Sequence, residues 1–170
     1  ILPVKDYDIP VRIFSTQHPE LEGTMISSYM PGPGLVKAVS MQKDVILVSM
    51  EAIGMWRQSG FLADVFACFK QLGLSIDMIS TSETNITVSL DISSKLLDRD
   101  LQDSLVKSLE TYCNVKIIRG CAAVSLVGHN IKAILHKLGP ALKVFEEQQV
   151  HLVSQAANDL NFTFVINEDQ

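Results

Sequence analysis

The chain repeats itself once, with a period of 76 residues, and this repeat restricts its fold more than any other feature. Val48-Ser49-Met50 corresponds to Val124-Ser125-Leu126, and Asn85-Ile86-Thr87-Val88 corresponds to Asn161-Phe162-Thr163-Phe164. Further matches are Phe66 and Phe69 with Leu142 and Phe145, and, at an offset of 74, Ile76, Ile79 and Ser80 with Val150, Val153 and Ser154. Self-similarity at a fixed spacing indicates two copies of one structural unit.

The first copy begins with a strand, a helix and a hairpin. Asp44 to Met50 is an apolar, partly β-branched run that predicts a buried strand. Phe61 to Leu72 carries apolar residues at helical spacing, and Gly73 supplies the left-handed residue that commonly ends a helix. Leu74 to Met78 and Thr84 to Asp91 alternate apolar and polar residues, which predicts the two strands of a hairpin.

A second helix and a fourth strand complete the first copy. Ser93 or Ser94 can cap a helix that carries a leucine every four residues from Leu97 to Leu109. Cys113 to Ile118 follows as a strand. The order βαββαβ predicts an α+β fold, in which an antiparallel sheet carries both helices on one face.

The remaining segments predict a connector and an incomplete second copy. Proline and glycine interrupt the first 35 residues and forbid a long helix there, although Val11 to Phe14 and Thr24 to Ile26 can form short strands. The second copy starts at Cys121 and runs out before its last helix and strand, unless a strand around Val36 to Met41 fills part of the gap. Because the first residue is not Met, we expect the chain to be part of a longer protein.

Composition excludes several classes of protein. Of the 170 residues, 47% are hydrophobic and 19% are charged, which is too apolar for a disordered chain. The net charge is −5 and no run of Lys and Arg occurs, so we expect no nucleic-acid partner. No apolar stretch is long enough to predict a membrane helix, and no signal peptide is visible, so we expect no membrane partner and a cytoplasmic location.

The sequence offers no catalytic or metal site. Nucleotide-binding, nucleophile-elbow and zinc-protease motifs are missing, so we predict no catalytic residue. The three cysteines lack the CxxC spacing, and the four histidines show no ligand spacing near them, so we predict no bound metal. Cys68, Cys113 and Cys121 are predicted to be buried thiols in a reducing compartment.

One group of residues in the first copy suits a small amino acid. The loop from Gly54 to Gly60 leads into the helix that starts at Phe61, and a helix start favours a carboxylate. Asp77 can pair with an ammonium group, while Ser75 and Ser82 can form hydrogen bonds. The same residue types are also typical of the solvent-facing side of a half-buried sheet, and that alternative stays open. In the second copy, His151 takes the place of Asp77, so the first copy is the candidate binding unit.

Longer motifs resemble a known family. Ser59-Gly60-Phe61-Leu62-Ala63-Asp64-Val65-Phe66, followed by Leu74-Ser75-Ile76-Asp77-Met78-Ile79-Ser80-Thr81-Ser82-Glu83, resembles the regulatory region of aspartate kinases, in particular the lysine-sensitive type. Val153-Ser154-Gln155 and Asn161-Phe162-Thr163-Phe164-Val165 are similar to the second copy in that family. The first segment, with Ile9-Pro10-Val11-Arg12-Ile13, resembles the join that follows the kinase domain. The resemblance therefore covers nearly the whole chain.

The resemblance implies tandem ACT modules of the ferredoxin-like βαββαβ type. It implies a connector at 1–35, an effector-binding module at 36–119, and an incomplete module at 120–170 that the strand near 36–41 completes. The effector would be L-lysine, bound where the first modules of two chains pair into one continuous sheet. The effector residues carried over from the family are Met55, Gln58, Phe61, Leu62, Ser75, Ile76, Asp77 and Ser82.

The implied function is feedback inhibition of an aspartate kinase by lysine. The kinase motifs are absent, so ATP and Mg would bind only to a kinase domain of the same polypeptide, which would be a partner of this region. Gln58 departs from the serine that is often found at its position, and Ala156 replaces the usual glycine of the second module. Two alternatives stay open. One is a dimerisation module without a ligand, and the other is a bifunctional enzyme fused to diaminopimelate decarboxylase or homoserine dehydrogenase, with threonine as effector.

Overall fold

A computed structural model of the chain describes residues 2–28, 35–90, 99–131, 135–137, 139–155 and 160–168. The chain divides into two units, residues 1–33 and 34–170. The first unit contains a short helix, α1 (Leu2–Lys5), and two antiparallel strands, β1 (Val11–Ile13) and β2 (Thr24–Ile26). The two short strands that the sequence predicts in this unit are therefore confirmed.

The second unit carries the remaining elements. In chain order they are β3 (Leu35–Glu51), a 3-10 turn (Met55–Arg57), α2 (Phe61–Gln71), β4 (Ile76–Thr81), β5 (Asn85–Leu90), α3 (Arg99–Leu109), β6 (Asn114–His129), a 3-10 turn (Leu135–Lys137), α4 (Gly139–Leu142), a 3-10 turn (Lys143–Phe145), β7 (Val150–Gln155) and β8 (Asn161–Asn167). Gly73, at φ +67°, follows α2 as predicted. The predicted caps of α3, Ser93 and Ser94, lie outside the described residues.

One antiparallel sheet of six strands joins these elements in the order β4-β5-β3-β6-β8-β7. Its strand registers repeat with the sequence. Ser49 lies opposite Thr87, as Ser125 lies opposite Thr163. Ser80 likewise pairs with Thr87 as Ser154 pairs with Thr163. The internal repeat is thus confirmed at the level of individual residue pairs.

Strands β3 and β6 are longer than the sequence indicates, because each runs through both repeats. We expected separate strands at 36–41 and 44–50, and a break between 118 and 121. Instead β3 has 17 residues and β6 has 16, and each bends without ending. The register shifts between Gln42 and Val45, where Asp44 has φ +57°, and Gly120 has φ +67° on the facing strand. A left-handed residue turns the strand while hydrogen bonding resumes on either side.

The two bends divide the sheet into two halves. The first half holds Val45–Glu51, β4, β5 and Asn114–Ile118. The second half holds Leu35–Gln42, Cys121–His129, β7 and β8. Within the second half, the first part of β3 pairs with the second part of β6, through Met41 opposite Val124 and Val39 opposite Leu126.

Two clusters of buried apolar side chains stabilise the two halves of the sheet. In the first half, Val48 and Met50 point to the face covered by α2 and α3, where Val65, Phe69 and Leu105 are buried with them. This arrangement confirms both helices on one face. The second cluster lies on the opposite face and joins the two halves; its members are Val45, Leu47, Cys121, Ala123, Leu152 and Val165, with Met78 and Ile118 packed against them. The sheet therefore folds back, so that its two halves face each other.

Candidate functional site

The loop before α2 is shaped by two glycines. Gly54 has φ +85° and Gly60 has φ +89°, a conformation that glycine adopts without strain. Between them, the Gln58 N–H donates to the Met55 carbonyl at 3.1 Å, and the Phe61 N–H donates to the Gln58 carbonyl at 3.3 Å. These two bonds fold the chain tightly, and α2 begins at Phe61 as the sequence predicts.

The predicted site residues in this loop and in the first turn of α2 differ in burial. Phe61 is buried and Met55 is half-buried, and both contact the cluster beneath α2 and α3. Gln58 is exposed, and Leu62 keeps 45% of its surface exposed although it lies in the first helical turn. Met55 and Phe61 therefore form a floor, whereas Gln58 and Leu62 are free to contact a ligand or a second chain.

A β-bulge changes the arrangement that strict alternation predicts for β4. Alternation would place Ile76 and Met78 on one face and Ser75 and Asp77 on the other. The register shifts between Ile76 and Met78, so Ile76 contacts the first apolar cluster while Met78 contacts the second. The extra residue at this bulge is Asp77, which is exposed and lines a groove between the two sheet halves. The shared face expected for Ser75 and Asp77 is therefore interrupted by the bulge.

Ser82 closes the hairpin between β4 and β5. Its backbone N–H donates to the Asn85 carbonyl at 2.8 Å, and its hydroxyl accepts the Asn85 N–H at 3.1 Å. The turn predicted at Thr81-Ser82-Glu83 is confirmed by this pair of bonds. Ser82 and Ser75 are both exposed, at opposite ends of β4. Strand β4 lies at one edge of the sheet, so it has a strand partner, β5, on one side only.

Sequence reasoning missed a polar network on the face of the first half that lies opposite the helices. The Asn85 side-chain amide donates to the Ser49 hydroxyl at 2.9 Å, and the Thr87 hydroxyl donates to the Asn85 side-chain carbonyl at 2.8 Å. The Met78 N–H donates to the Ser89 hydroxyl at 2.9 Å. The recurrence of Asn85 as Asn161 was the signal that could have drawn attention to this network, because a polar residue repeated within a strand has a structural partner.

The cysteines are confirmed as buried, free thiols. Burial raises the pKa of Cys68, Cys113 and Cys121 above the ordinary thiol value, which keeps them protonated and unreactive at neutral pH. Among the residues that the structure describes, His, Cys, Asp and Glu side chains nowhere gather in a group that could hold a metal ion. The helices within the described ranges are also too short or too polar to cross a membrane.

Comparisons with known proteins agree with this geometry. The ACT-domain family model matches residues 48–98. Aspartokinase 2 of Arabidopsis thaliana, a chloroplastic protein, is 32% identical over 99% of this chain, and the match covers 32% of that protein. The lysine-sensitive aspartokinase 3 of Escherichia coli is 27% identical over 98% of this chain and 37% of its own length.

The structural match decides the fold. E. coli aspartokinase III in complex with lysine and aspartate superposes with a TM-score of 0.79, at 26% identity over 99% of this chain and 38% of that one. This chain is an ACT-domain regulatory region matching that of aspartokinases. The ACT-domain fold and the resemblance to the aspartokinase regulatory region are thus both confirmed. The ACT-domain region spans about a third of the length of the curated relatives it matches.

Proposed function

We propose that this ACT-domain region belongs to an aspartokinase and binds L-lysine as a feedback inhibitor. The observation that carries the proposal is the match over nearly the whole chain to aspartokinases, among them the lysine-sensitive aspartokinase III of E. coli, whose structure contains lysine. The catalytic activity would reside in a kinase domain of the same polypeptide, which would bind ATP and Mg. The location is proposed as cytoplasmic, although the names of the Arabidopsis relatives place those proteins in the chloroplast.

The proposed effector site uses the residues carried over from the family. Within the described residues no side chain caps the start of α2, and the backbone N–H groups of its first turn, apart from those of Phe61 and Asp64, would suit the lysine carboxylate. Asp77, exposed at the bulge of β4, would pair with an ammonium group of lysine. Met55, Phe61 and Ile76 would form the apolar floor, since all three contact the first cluster. Ser75 and Ser82 would supply hydrogen bonds from the two ends of β4.

The site is proposed to be completed by a second copy of the chain. Strand β4 is an edge strand that exposes Ile79 and carries one charged side chain, Asp77, along its length. Such an edge is a template for another strand. Pairing two copies of β4 would join the first halves into one continuous sheet and bring the effector residues of both chains together. We also propose the module boundaries 36–119 and 120–170, with Leu35–Gln42 of β3 serving the second module.

Lysine would inhibit the kinase by shifting the equilibrium between two arrangements of the paired modules. If lysine binds one arrangement of the paired modules better than another, the favoured arrangement becomes dominant. A difference of about 1–3 kcal/mol in binding free energy is typical of allosteric coupling.

Calorimetric titration of the chain with L-lysine, L-threonine and L-methionine tests the proposal. We expect heat with lysine, and the Asp77→Ala variant should weaken binding by about tenfold or more, because it removes a charged partner. Asp64→Ala is the matched control, since Asp64 is also an exposed carboxylate near the start of α2 and should leave binding unchanged. The absence of heat with lysine under conditions where a dimer persists would disprove lysine binding, and heat with threonine alone would favour the threonine-sensitive alternative.

A further inference from the structure

A row of four hydroxyl side chains crosses the second half of the sheet, one from each strand. Ser40 of β3 lies opposite Ser125 of β6, Ser125 lies opposite Thr163 of β8, and Thr163 lies opposite Ser154 of β7. Residues directly opposite each other on neighbouring strands point to the same face. The four hydroxyls therefore form one line, within which the Ser125 and Thr163 oxygens are 2.8 Å apart.

This hydroxyl row faces the first half of the sheet. Strand alternation puts Ser125 on the same face as Ala123, and Thr163 on the same face as Val165. Ala123 and Val165 belong to the apolar cluster that joins the two halves. Beyond that cluster, a groove of about 480 Å³ opens; it is lined by the hydroxyl row together with Met41, Gln42, Asp77, Met78, Ala123 and Asn161. Residues from both halves therefore line one groove.

The polar side chains of the two sheet halves differ in their hydrogen bonding. In the first half, the Asn85 amide bridges Ser49 and Thr87, donating to the Ser49 hydroxyl and accepting from the Thr87 hydroxyl. In the second half, Ser125 and Thr163 bond to each other, and Asn161, the counterpart of Asn85, lines the groove. The first row is thus satisfied within its own half, whereas the second row borders a space large enough for a small molecule.

We propose that this groove binds a small molecule that carries one ammonium group and several oxygen atoms. Among the described residues lining the groove, Asp77 is the one charged side chain, and a lone carboxylate favours a cation. The hydroxyls of Ser40 and Ser154 and the amides of Gln42 and Asn161 can donate to oxygen acceptors or accept from hydroxyl groups. An amino acid and an amino alcohol both meet this description. This site overlaps the proposed lysine site at Asp77, and its other lining residues are different.

Occupancy of the groove would connect the two halves of the sheet. Asp77 and Met78 come from β4, whereas Asn161, Thr163 and Ser154 come from β8 and β7. A ligand that bonds to Asp77 and to Asn161 would hold the edge strand β4 against the second half. The groove would thereby influence the same edge strand on which the proposed dimer depends.

Backbone and side-chain amide NMR of the full chain tests the proposal. The probes are each of the common amino acids in turn, ethanolamine, and glycerol as a neutral comparison, all at millimolar concentration. We expect at least one amino acid or ethanolamine to shift the signals of Ser154, Asn161 and the Gln42 side-chain amide, and glycerol to leave them unchanged. If shifts arise with amino acids but not with ethanolamine, the ligand is an amino acid, and the reverse assigns an amino alcohol. If no ammonium-bearing probe shifts these signals, or glycerol shifts them equally, the proposal is wrong.

Three variants distinguish binding in this groove from binding at the proposed lysine site. A Ser154→Ala and Asn161→Ala double variant should weaken binding in the groove by about tenfold or more, whereas Ser82→Ala should leave it unchanged. Thr163→Val provides a second test that keeps the shape of the buried side chain, in case the double variant does not fold. If the Ser82→Ala variant loses groove binding while Ser154 and Asn161 variants keep it, the ligand lies elsewhere. Because signals of Leu62 and Ser75 report the lysine site, failure of one site is distinguishable from failure of the other.

Discussion

The Glu168 carboxylate accepts a hydrogen bond from the backbone N–H of Asp44 at 3.1 Å, across a separation of 124 residues. The backbone N–H of Glu168 also donates to the Gly120 carbonyl at 2.7 Å. Asp44 and Gly120 are the left-handed residues at which β3 and β6 bend. Glu168 therefore contacts both bends at once, and Lys43, 3.7 Å from its carboxylate, adds an exposed ion pair.

Replacing Glu168 should loosen the bends. Glu168→Ala removes the acceptor for the Asp44 N–H, and we expect the free energy of unfolding to fall by about 1–2 kcal/mol. Urea unfolding followed by circular dichroism measures this change. Lys43→Met is the matched control, because it removes only an ion pair whose lysine is 60% exposed, and it should cost less than about 0.5 kcal/mol. Equal losses in the two variants would mean that the ion pair, not the hydrogen bond, stabilises the bends.

Asp44 itself should tolerate glycine but not a β-branched residue. Its φ of +57° lies in the left-handed region, where a β-branched side chain is strained. We expect Asp44→Val to lower the free energy of unfolding by about 1–2 kcal/mol and Asp44→Gly to be within about 0.5 kcal/mol of the parent. Chemical denaturation of both variants checks the difference. Lys116→Val, at an exposed strand position outside the bends, should cost little; a comparable loss there would show that valine, not the backbone angle, is responsible.

Two valines at equivalent positions of the repeat offer a direct comparison of packing. Val48 is fully buried beneath α2 and α3, whereas Val124, 76 residues later, is half-buried. Truncation to alanine removes the same atoms from both. We expect Val48→Ala to lower the free energy of unfolding by about 2 kcal/mol and Val124→Ala to lower it by less than about 1 kcal/mol. Urea unfolding curves of the two variants measure both changes. Equal costs would show that Val124 is covered in solution as completely as Val48.

Alkaline pH should destabilise the fold through its buried thiols. Burial raises the pKa of Cys113 and Cys121 above the ordinary value of 9.0, so the folded chain keeps thiol protons that the unfolded chain has already lost. Their contribution to stability is complete below about pH 8 and is lost as pH rises through 9 toward the folded pKa. Denaturation curves at about pH 7.5 and about pH 9.5 measure the decline. Cys121→Ala should make the decline shallower, and an unchanged slope would assign it to other groups.

Local patterns predicted most of the first repeat. Apolar residues at helical spacing and Gly73 predicted α2 and its end, because a left-handed residue after an amphipathic segment has few other uses. Alternation predicted β5, and the recurrence of Asn85 and Thr87 as Asn161 and Thr163 predicted a second copy, in which β8 pairs in the same register as β5. In the candidate site, residue types and the loop before α2 singled out Ser75, Asp77 and Ser82, whereas the resemblance added Met55, Gln58, Leu62 and Ile76.

Other features of the fold depend on pairing between strands that are distant in the sequence, and local patterns could not predict them. Alternation continues through Ile76, Asp77 and Met78 in the sequence, but the bulge there depends on the different registers that β5 offers on either side. Residues 42–43 were predicted to be a gap between two strands, yet they lie in a bend within β3 because β6 bends beside them. The hydroxyl row likewise depends on which strand lies beside Ser40, and its partner Ser125 is distant in the chain.

The long strand β3 has a consequence for any attempt to separate the two repeats. Its first part hydrogen-bonds to residues 121–129, and its second part to β5 and to residues 114–118. A truncation after residue 119 would remove the strand that hydrogen-bonds to Leu35–Gln42. The exposed edge of that segment could then pair with strands of other molecules. A fragment that starts after residue 119 would lack the strand that flanks β6. As a continuous stretch of sequence, each repeat would therefore be without one of its strand partners, and we expect stable expression only of the two repeats together.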